Sequence, residues 1–307
     1  MKVRADAMPL EGPLPGGAPG GAQGDGASVV VEPMECGTTI FPPGLFEQVR
    51  GGLRGMLAAR GIGVSRDDYV RLGCPVFLVE HPTVGAVLID TGLHASIASD
   101  PRDNMGRIMA GYHELERGKD AASQLRERGL APKDIQVVVM THLHADHASA
   151  VAAFPDATFV VSAPEWKEAT ESPSILKGYV KRHYDYAFDF QTVDFGADFI
   201  TSYGPFGRTF DVFGDGTIRL VFTPGHTVGH CSVICRLPRR DFVALGDAAY
   251  NWRQIEGGPE PFQCADRHNW RRSLRELNAY RAAYPYALIV PGHDPEFFAK
   301  LDARYEE

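Results

Sequence analysis

The sequence predicts a layered α/β fold, and three observations lead to this prediction. Short apolar runs that are typical of β-strands alternate along the chain with segments that have the residue spacing of helices. Four of the predicted strands end directly in His or Asp residues. The 307 residues are 44% hydrophobic, and no linker rich in Pro, Gly and Ser divides the middle of the chain. We therefore expect one large domain.

The first 27 residues have a different composition from the rest. They are rich in Gly and Pro and contain no apolar stretch, which predicts a disordered tail and neither a signal peptide nor a membrane span. The folded domain is then expected at residues 28–307. No later stretch approaches the roughly 18 consecutive apolar residues of a membrane helix. A cytoplasmic protein without a membrane partner is the default expectation.

Local patterns predict the individual elements. Aliphatic and β-branched runs predict strands, and apolar residues at three- and four-residue steps predict helices, with Gly129 ending one helix and Pro164 starting another. The strands at residues 76–79 and 86–89 are predicted to form a hairpin that ends in Asp90. Asp90 is either the cap of a turn or an acceptor that orients a metal-bound imidazole. The predicted strands are residues 29–31, 76–79, 86–89, 135–140, 158–161, 217–222, 232–235, 242–245 and 287–290, and the predicted helices are residues 45–59, 121–130 and 266–283 with further starts at 146 and 164.

Two segments depart from this rhythm. Residues 94–119 are polar and irregular, so His94 and His113 are expected to be exposed. Residues 175–213 carry many Tyr and Phe residues. These rings either pack a long connection onto the core or form an apolar wall beside a functional site.

Charge and cysteine content exclude some classes of protein. The net charge of -8 and the pI of about 5.8 would repel nucleic acid, which disfavours a nuclease and predicts no nucleic-acid partner. The five cysteines show no CxxC spacing and lie among apolar residues, which predicts reduced, buried side chains. Cys231 and Cys235 lie in a predicted strand and are interpreted as core residues rather than metal ligands.

The stretch from His142 to His147 carries the strongest functional signal. It reads His-Leu-His-Ala-Asp-His and directly follows the apolar strand at residues 135–140. His142 and His144 are two residues apart, so in an extended segment their imidazoles project to the same side and could bind one ion. Asp146 and His147 follow where the chain turns into a helix, where they could face a second ion. Clustered imidazoles and a carboxylate suit divalent ions such as zinc.

Three later strands also end in residues that could bind a metal. His226 follows the strand at residues 217–222, Asp247 follows the strand at 242–245, and His293 follows the last strand. If these strand ends converge at one edge of a sheet, all of these side chains meet.

Taken in order, these motifs resemble those of the metallo-β-lactamase superfamily. The resemblance covers residues 90–293 and implies a four-layer αββα sandwich, two facing sheets with helices outside, with a dinuclear metal site at one edge. It assigns His142, His144 and His226 to one ion, Asp146, His147 and His293 to the other, and the Asp247 carboxylate to a bridge between them. His230 resembles a histidine of that turn that supports the site without binding metal. The cofactors implied are two divalent ions, with zinc favoured and manganese, iron or cobalt able to use the same ligands.

Within the superfamily the sequence is most similar to the N-acyl homoserine lactone lactonases, because Tyr250 lies three residues after Asp247. This resemblance implies a metal-dependent hydrolase that opens a lactone ring by attack of a hydroxide shared between the ions. The Tyr250 hydroxyl would stabilise the carbonyl oxygen, and Asp146 would relay a proton to the departing ring oxygen. A small acyl lactone or related ester is the expected substrate. Such relatives include dimers, so the resemblance also allows a homodimer. The aromatic segment could receive the acyl chain.

The same seven ligands would also serve other hydrolases. A thioesterase similar to glyoxalase II, another lactonase such as a pyridoxolactonase, and a phosphotriesterase are the alternatives. A true β-lactamase is disfavoured because Asp247 stands where many of those enzymes have cysteine. Persulfide dioxygenases use a single iron, which the complete second ligand set disfavours, and a non-catalytic scaffold is disfavoured because all seven ligands are present.

Overall fold

Two β-sheets lie face to face with helices on their outer surfaces. This arrangement is seen in a computed structural model of the chain, which describes residues 5–18, 26–47, 52–186 and 188–307. The predicted αββα sandwich is therefore confirmed. No helix among the described residues combines the length and apolar character needed to cross a bilayer.

The strands and helices are numbered in chain order. The strands are β1 (Ala7–Pro9), β2 (Val30–Phe41), β3 (Val70–His81), β4 (Gly85–Ile89), β5 (His113–Glu114), β6 (Ile135–Val139), β7 (Thr158–Ser162), β8 (Asp189–Val193), β9 (Thr201–Tyr203), β10 (Phe206–Asp211), β11 (Ile218–Phe222), β12 (Cys231–Arg236), β13 (Asp241–Ala244) and β14 (Leu288–Val290). The α-helices are α1 (Pro43–Phe46), α2 (Gly52–Ala59), α3 (Pro101–Met109), α4 (Ala121–Glu127), α5 (Ala145–Ala148), α6 (Ala163–Glu171), α7 (Trp252–Ile255), α8 (Arg267–Ala283) and α9 (Pro295–Phe298).

Strand direction brings three of the four predicted ligand loops to one edge of the second sheet. The first sheet has the order β1-β8-β7-β6-β4-β3-β2-β5 and the second has the order β14-β13-β12-β11-β10-β9. In the second sheet β12 is antiparallel to both β11 and β13, and β13 is parallel to β14. The strands β11, β13 and β14 therefore point the same way, and the loops that follow them lie at the same end.

The alternation of side chains along the strands builds three packed layers. In β6, Val137 and Val139 face the second sheet, where they pack in one cluster with residues such as Leu220 and Phe242. Val138 points to the opposite face and packs with residues of α4 and α6. Helix α8 covers the outer face of the second sheet through Leu277 and Tyr280. The edge that carries the candidate ligand loops is thus the rim of a core that is fixed on both sides.

The disordered tail predicted for residues 1–27 is wrong for the part of it that the structure describes. Strand β1 pairs in parallel with β8, and Leu14 donates its backbone N–H to the carbonyl of Val212. Ala18 donates its N–H to the buried Asp215 carboxylate. The Gly- and Pro-rich composition indicated disorder. The segment is instead held by hydrogen bonds to residues far along the chain, which composition cannot reveal. The folded domain therefore begins before residue 28, and residues 1–4 and 19–25 lie outside the described residues.

Three smaller predictions also change. The predicted helix at residues 45–59 is two helices, α1 and α2, and Val49, one of the apolar residues on which it rested, lies outside the described residues. His113 is 2% exposed rather than on the surface, because β5 pairs with β2 and places its side chain inward. His94 is half-buried, and its ring accepts a hydrogen bond from the N–H of Ser96.

The buried N-terminal segment gives a prediction for stability. Leu14 is 9% exposed and packs in the core between the sheets, so Leu14→Ala should lower the free energy of unfolding by about 2–3 kcal/mol. Leu176→Ala is the matched control, because Leu176 is 88% exposed and its truncation should leave stability unchanged. Urea denaturation measures both. Equal stability of the two variants would mean that the segment does not pack on the sandwich in solution.

Candidate metal centre

The loop after β6 places four candidate ligands along one wall of the site. His142 and His144 precede α5, and Asp146 and His147 lie within it. The loop is fixed on two sides, since Ala145 donates its N–H to the carbonyl of Gly178 and Thr91 donates its N–H to the carbonyl of His147. Its geometry is therefore set by the fold.

Asp247 lies at the centre of all the candidate ligands. Its Oδ2 is 3.1 Å from Nε2 of His226 and 3.7 Å from Nε2 of His142. Its Oδ1 is 3.1 Å from Nε2 of His293 and 3.3 Å from Nε2 of His147. Each carboxylate oxygen thus faces a different pair of imidazoles, the arrangement expected of a bridging ligand.

The ligand atoms form two groups, each within 4.8 Å. One contains His142, His144, His226 and Asp247, and the other contains Asp146, His147 and His293. Nδ1 of His144 lies 2.8 Å from Nε2 of His226, and Oδ2 of Asp146 lies 3.5 Å from Nε2 of His293. The structure therefore brings together all seven residues predicted from the sequence. Their role as ligands stays a prediction.

Buried polar atoms without partners show that these residues fit divalent ions. Nε2 of His142, Nε2 of His147 and Oδ1 of Asp247 have no hydrogen-bond partner among the described residues. A buried polar atom normally has such a partner, so three orphan atoms facing one another indicate that they serve a different bond. Imidazole nitrogens and a carboxylate are ligands that zinc and similar ions accept.

The protonation states of three candidate ligand histidines support this fit. For the other two, His147 and His293, the Asp247 carboxylate raises the pKa against the effect of burial. Burial lowers the pKa of His144 to about 4 and holds the pKa values of His142 and His226 well below the usual range. These imidazoles are neutral at pH 7 and can offer a lone pair to a metal. Burial alone would raise the pKa of Asp247, but the histidines around it, His293 first, hold that pKa well below its usual value. The Asp247 side chain is therefore an anion.

Asp90 orients His147. Its Oδ2 is 2.7 Å from Nδ1 of His147 and accepts the hydroxyl of Thr141 at 2.7 Å, while its Oδ1 accepts the N–H of Thr141 at 2.8 Å. Among the described residues other than glycine, only Asp90 has a positive φ, which is 59°. Such a conformation costs free energy and persists where the surroundings fix it. Of the two roles considered for Asp90, the structure supports orientation of an imidazole.

His230 positions Asp247. Its Nε2 accepts the N–H of Asp247 at 2.9 Å, and its Nδ1 donates to the carbonyl of Thr223 at 3.1 Å. Burial lowers the pKa of His230 to about 3, so the ring is neutral and carries its proton on Nδ1. This agrees with the expected supporting role.

The turn that carries His226 requires glycine before it. Gly225 has φ of 144°, and a Cβ there would lie 2.3 Å from Cα of Trp270 in α8. Helix α8 starts beside the turn because Asp266 caps it by accepting the N–H of Asn269. The helix and the turn therefore meet backbone to backbone, and this contact sets the position of His226.

Tyr250 lies at the metal centre, as predicted. Its hydroxyl is 3.0 Å from Nδ1 of His226, and the residue is 3% exposed. Its backbone is held on both sides, since its N–H bonds to Oε1 of Gln254 and its carbonyl accepts the N–H of His293. Gln254 was not identified from the sequence, since no local pattern marks it.

A cavity of about 450 Å³ opens from the metal centre. Its walls are mainly apolar, with Phe41, Phe46 and Phe262 among the aromatic residues and Ile108 and Leu176 among the aliphatic ones. None of the Tyr and Phe residues of the segment 175–213 lines it. Most of those rings pack into the core, as Phe190 and Phe210 do, and Tyr186 is 39% exposed. The structure therefore favours the packing alternative over an aromatic wall built by this segment. The buried His113 also lines the cavity, which the sequence did not suggest.

The fold and the site together define a metal-binding αββα protein with two adjacent ion positions at the sheet edge. Residues 69–293 match the family model described as the Metallo-beta-lactamase superfamily. The chain belongs to this superfamily.

Individual relatives agree with this assignment. The N-acyl homoserine lactonase AttM of Agrobacterium fabrum is 34% identical over 237 residues, which cover 76% of this chain and 86% of AttM. A point mutant of Bacillus thuringiensis AiiA with N-decanoyl-L-homoserine bound at the active site has a similar fold, with a TM-score of 0.70 at 19% identity over 90% of this chain and 98% of that chain. AidC, described as a dizinc quorum-quenching lactonase in complex with a product, has a TM-score of 0.57 at 14% identity over 90% of this chain and 91% of that chain.

Proposed function

We propose that the protein opens the ring of N-acyl homoserine lactones by metal-dependent hydrolysis. The observation that carries this proposal is the meeting of seven ligand-type side chains and the Tyr250 hydroxyl at the inner end of one apolar cavity. The names of AttM and the other relatives support the same substrate class.

The cofactors we propose are two divalent ions, with zinc as the native metal. Three imidazoles with the Asp247 carboxylate would hold one ion, and Asp146, His147 and His293 with the same carboxylate would hold the other. Such ions, when bound, polarise a carbonyl and lower the pKa of bound water, which supplies a nucleophile at neutral pH. Mixed nitrogen and oxygen ligands suit zinc, and manganese, iron and cobalt are the alternatives.

Tyr250 is placed to stabilise the charge that develops on the carbonyl oxygen. Nε2 of His226 faces Asp247 and the ion position, so Nδ1 carries the proton and donates to the Tyr250 oxygen. The hydroxyl hydrogen of Tyr250 then remains free to point into the cavity towards the substrate. A donor preorganised in a buried site is effective because it needs no rearrangement during the reaction.

Asp146 is placed to move the proton that the leaving ring oxygen requires. Its side chain is 14% exposed, more than the Asp247 side chain at 5%, and it lines the cavity. We propose that its carboxylate accepts the proton of the attacking water and passes it to that oxygen. The apolar cavity walls would receive the acyl chain and exclude water around it.

A substrate panel tests this function. The purified protein would be given N-hexanoyl and N-decanoyl homoserine lactone, a glutathione thioester, a pyridoxine-derived lactone and a phosphotriester, with and without a chelator. We expect kcat/KM to be highest for an acyl homoserine lactone by at least about tenfold, a difference of about 1.4 kcal/mol in transition-state binding. The chelator should abolish the activity. A higher kcat/KM for any of the other three substrates would reassign the enzyme within the same superfamily.

A homodimer and the absence of nucleic-acid partners remain predictions. Size-exclusion chromatography with light scattering would give the mass of the particle in solution.

A further inference from the structure

Helix α6 contributes a carboxylate that is completely buried. Glu165 is 0% exposed and lies between the two loops that carry the histidines of one ion position. Nothing in the proposed chemistry uses this side chain. A buried carboxylate is expensive unless it is well bonded, so its partners indicate what it does.

The partners of Glu165 are three donors from three parts of the chain. Oε1 accepts the N–H of Leu143 at 3.0 Å and the hydroxyl of Tyr179 at 3.0 Å. Oε2 accepts the hydroxyl of Thr227 at 2.6 Å. Burial raises the pKa of Glu165, and these hydrogen bonds oppose that effect by stabilising the anion.

Each donor is next to a histidine of the same ion position. Leu143 lies between His142 and His144 in the chain, and Thr227 follows His226. The Tyr179 ring packs edge-on against the His144 ring, with 4.9 Å between their centroids. None of these three donors adjoins His293, and Asp90 rather than Glu165 contacts His147.

We propose that Glu165 is a positioning residue that sets the geometry of the His142, His144 and His226 ion position by joining the two loops that carry it. The first loop follows β6 of one sheet and the second follows β11 of the other, so Glu165 also fixes the separation of the two sheets at this edge. Asp90 contacts His147 of the other ion position directly and reaches His142 only through Thr141. Of the two carboxylates, Glu165 is therefore the one whose partners all adjoin the first ion position.

The proposal predicts a selective loss of metal affinity. Removing an outer partner of this kind typically weakens metal binding by about 10–100-fold. In Glu165→Ala the affinity of one ion should fall by that factor while the affinity of the other stays within about threefold. Glu165→Gln keeps one carbonyl acceptor for Leu143 and Tyr179, so it should recover part of the affinity.

The experiment is a cadmium titration of the metal-free protein, followed by cadmium NMR and by competition with a chelator. The resonance of the ion held by the three histidines is identified as the one that His144→Ala removes. Glu168→Ala is the matched control, because Glu168 lies one turn away on α6 and pairs with Lys177 at the surface. If Glu165→Ala does not fold, Tyr179→Phe removes one of the three donors and should weaken the same ion by a smaller factor.

The outcomes separate this inference from the proposed function on which it rests. Selective weakening of the ion that His144 identifies, with Glu168→Ala unchanged, supports the positioning role. The positioning role is overturned if the wild-type protein binds two ions and the variants at residue 165 either keep the wild-type affinity for both ions or lose both ions together. The proposed function is unaffected by that result. Wild-type protein that binds no ions overturns both.

Discussion

Asp247→Asn should reduce kcat/KM by about a thousandfold or more and release metal from the protein. Oδ1 and Oδ2 of Asp247 face different pairs of imidazoles at 3.1–3.7 Å, so the change removes the negative charge shared by both ion positions and replaces the oxygen ligand of one of them with an amide nitrogen. Lewis-acid stabilisation is worth several kcal/mol, and each 1.4 kcal/mol is tenfold in rate. The measurements are kcat/KM with N-hexanoyl homoserine lactone and the number of ions bound per chain.

Asp189→Asn is the matched control for this prediction. Asp189 is exposed on β8, and its carboxylate bonds to the side chains of Thr158 and Gln191. Its replacement should change neither activity nor metal content. An Asp247→Asn protein that keeps two ions and more than about a tenth of its activity would show that this carboxylate is not the bridge; a tenfold loss is only about 1.4 kcal/mol.

Tyr250→Phe should lower kcat by about 10²–10³-fold while KM and metal content change little. That is the usual cost of losing one preorganised donor to a developing oxyanion. The ring stays in place because the backbone of Tyr250 is held by Gln254 and His293 and because its ring packs edge-on against Phe46 at 5.1 Å. Steady-state kinetics on the same lactone give kcat and KM separately.

Tyr286→Phe is the control for Tyr250. Tyr286 is 82% exposed and should tolerate the loss of its hydroxyl without effect. If Tyr250→Phe raised KM alone, the hydroxyl would contribute to binding the substrate and the transition state equally. Unchanged kinetics would remove Tyr250 from the mechanism.

Local sequence patterns were sufficient to predict much of the fold and to select the candidate site residues. Helix α8 was predicted at residues 266–283 and spans Arg267–Ala283, because its Asp266 cap and its apolar spacing are both local features. The seven candidate ligands could be selected because each directly follows a strand. Their meeting depends on strand direction, which the resemblance to the superfamily supplied and the sheet order explains.

Features that depend on contacts between distant residues were missed. Strand β1 looked disordered because its order comes from β8, about 180 residues away. His113 looked exposed because the pairing of β5 with β2 is not visible in its polar surroundings. Glu165 looked like an ordinary residue in the first turn of a helix, yet its carboxylate bonds to residues 22 and 62 positions away. Periodicity records which face a residue occupies, but not which distant group it meets.

Anomalous X-ray diffraction from crystals of the zinc-loaded protein is the most direct test of the dinuclear centre. We expect two zinc peaks per chain, one among His142, His144 and His226 and the other among Asp146, His147 and His293, with the Asp247 carboxylate bonded to both. A single peak, or peaks away from Asp247, would contradict a centre in which two ions share one bridging carboxylate.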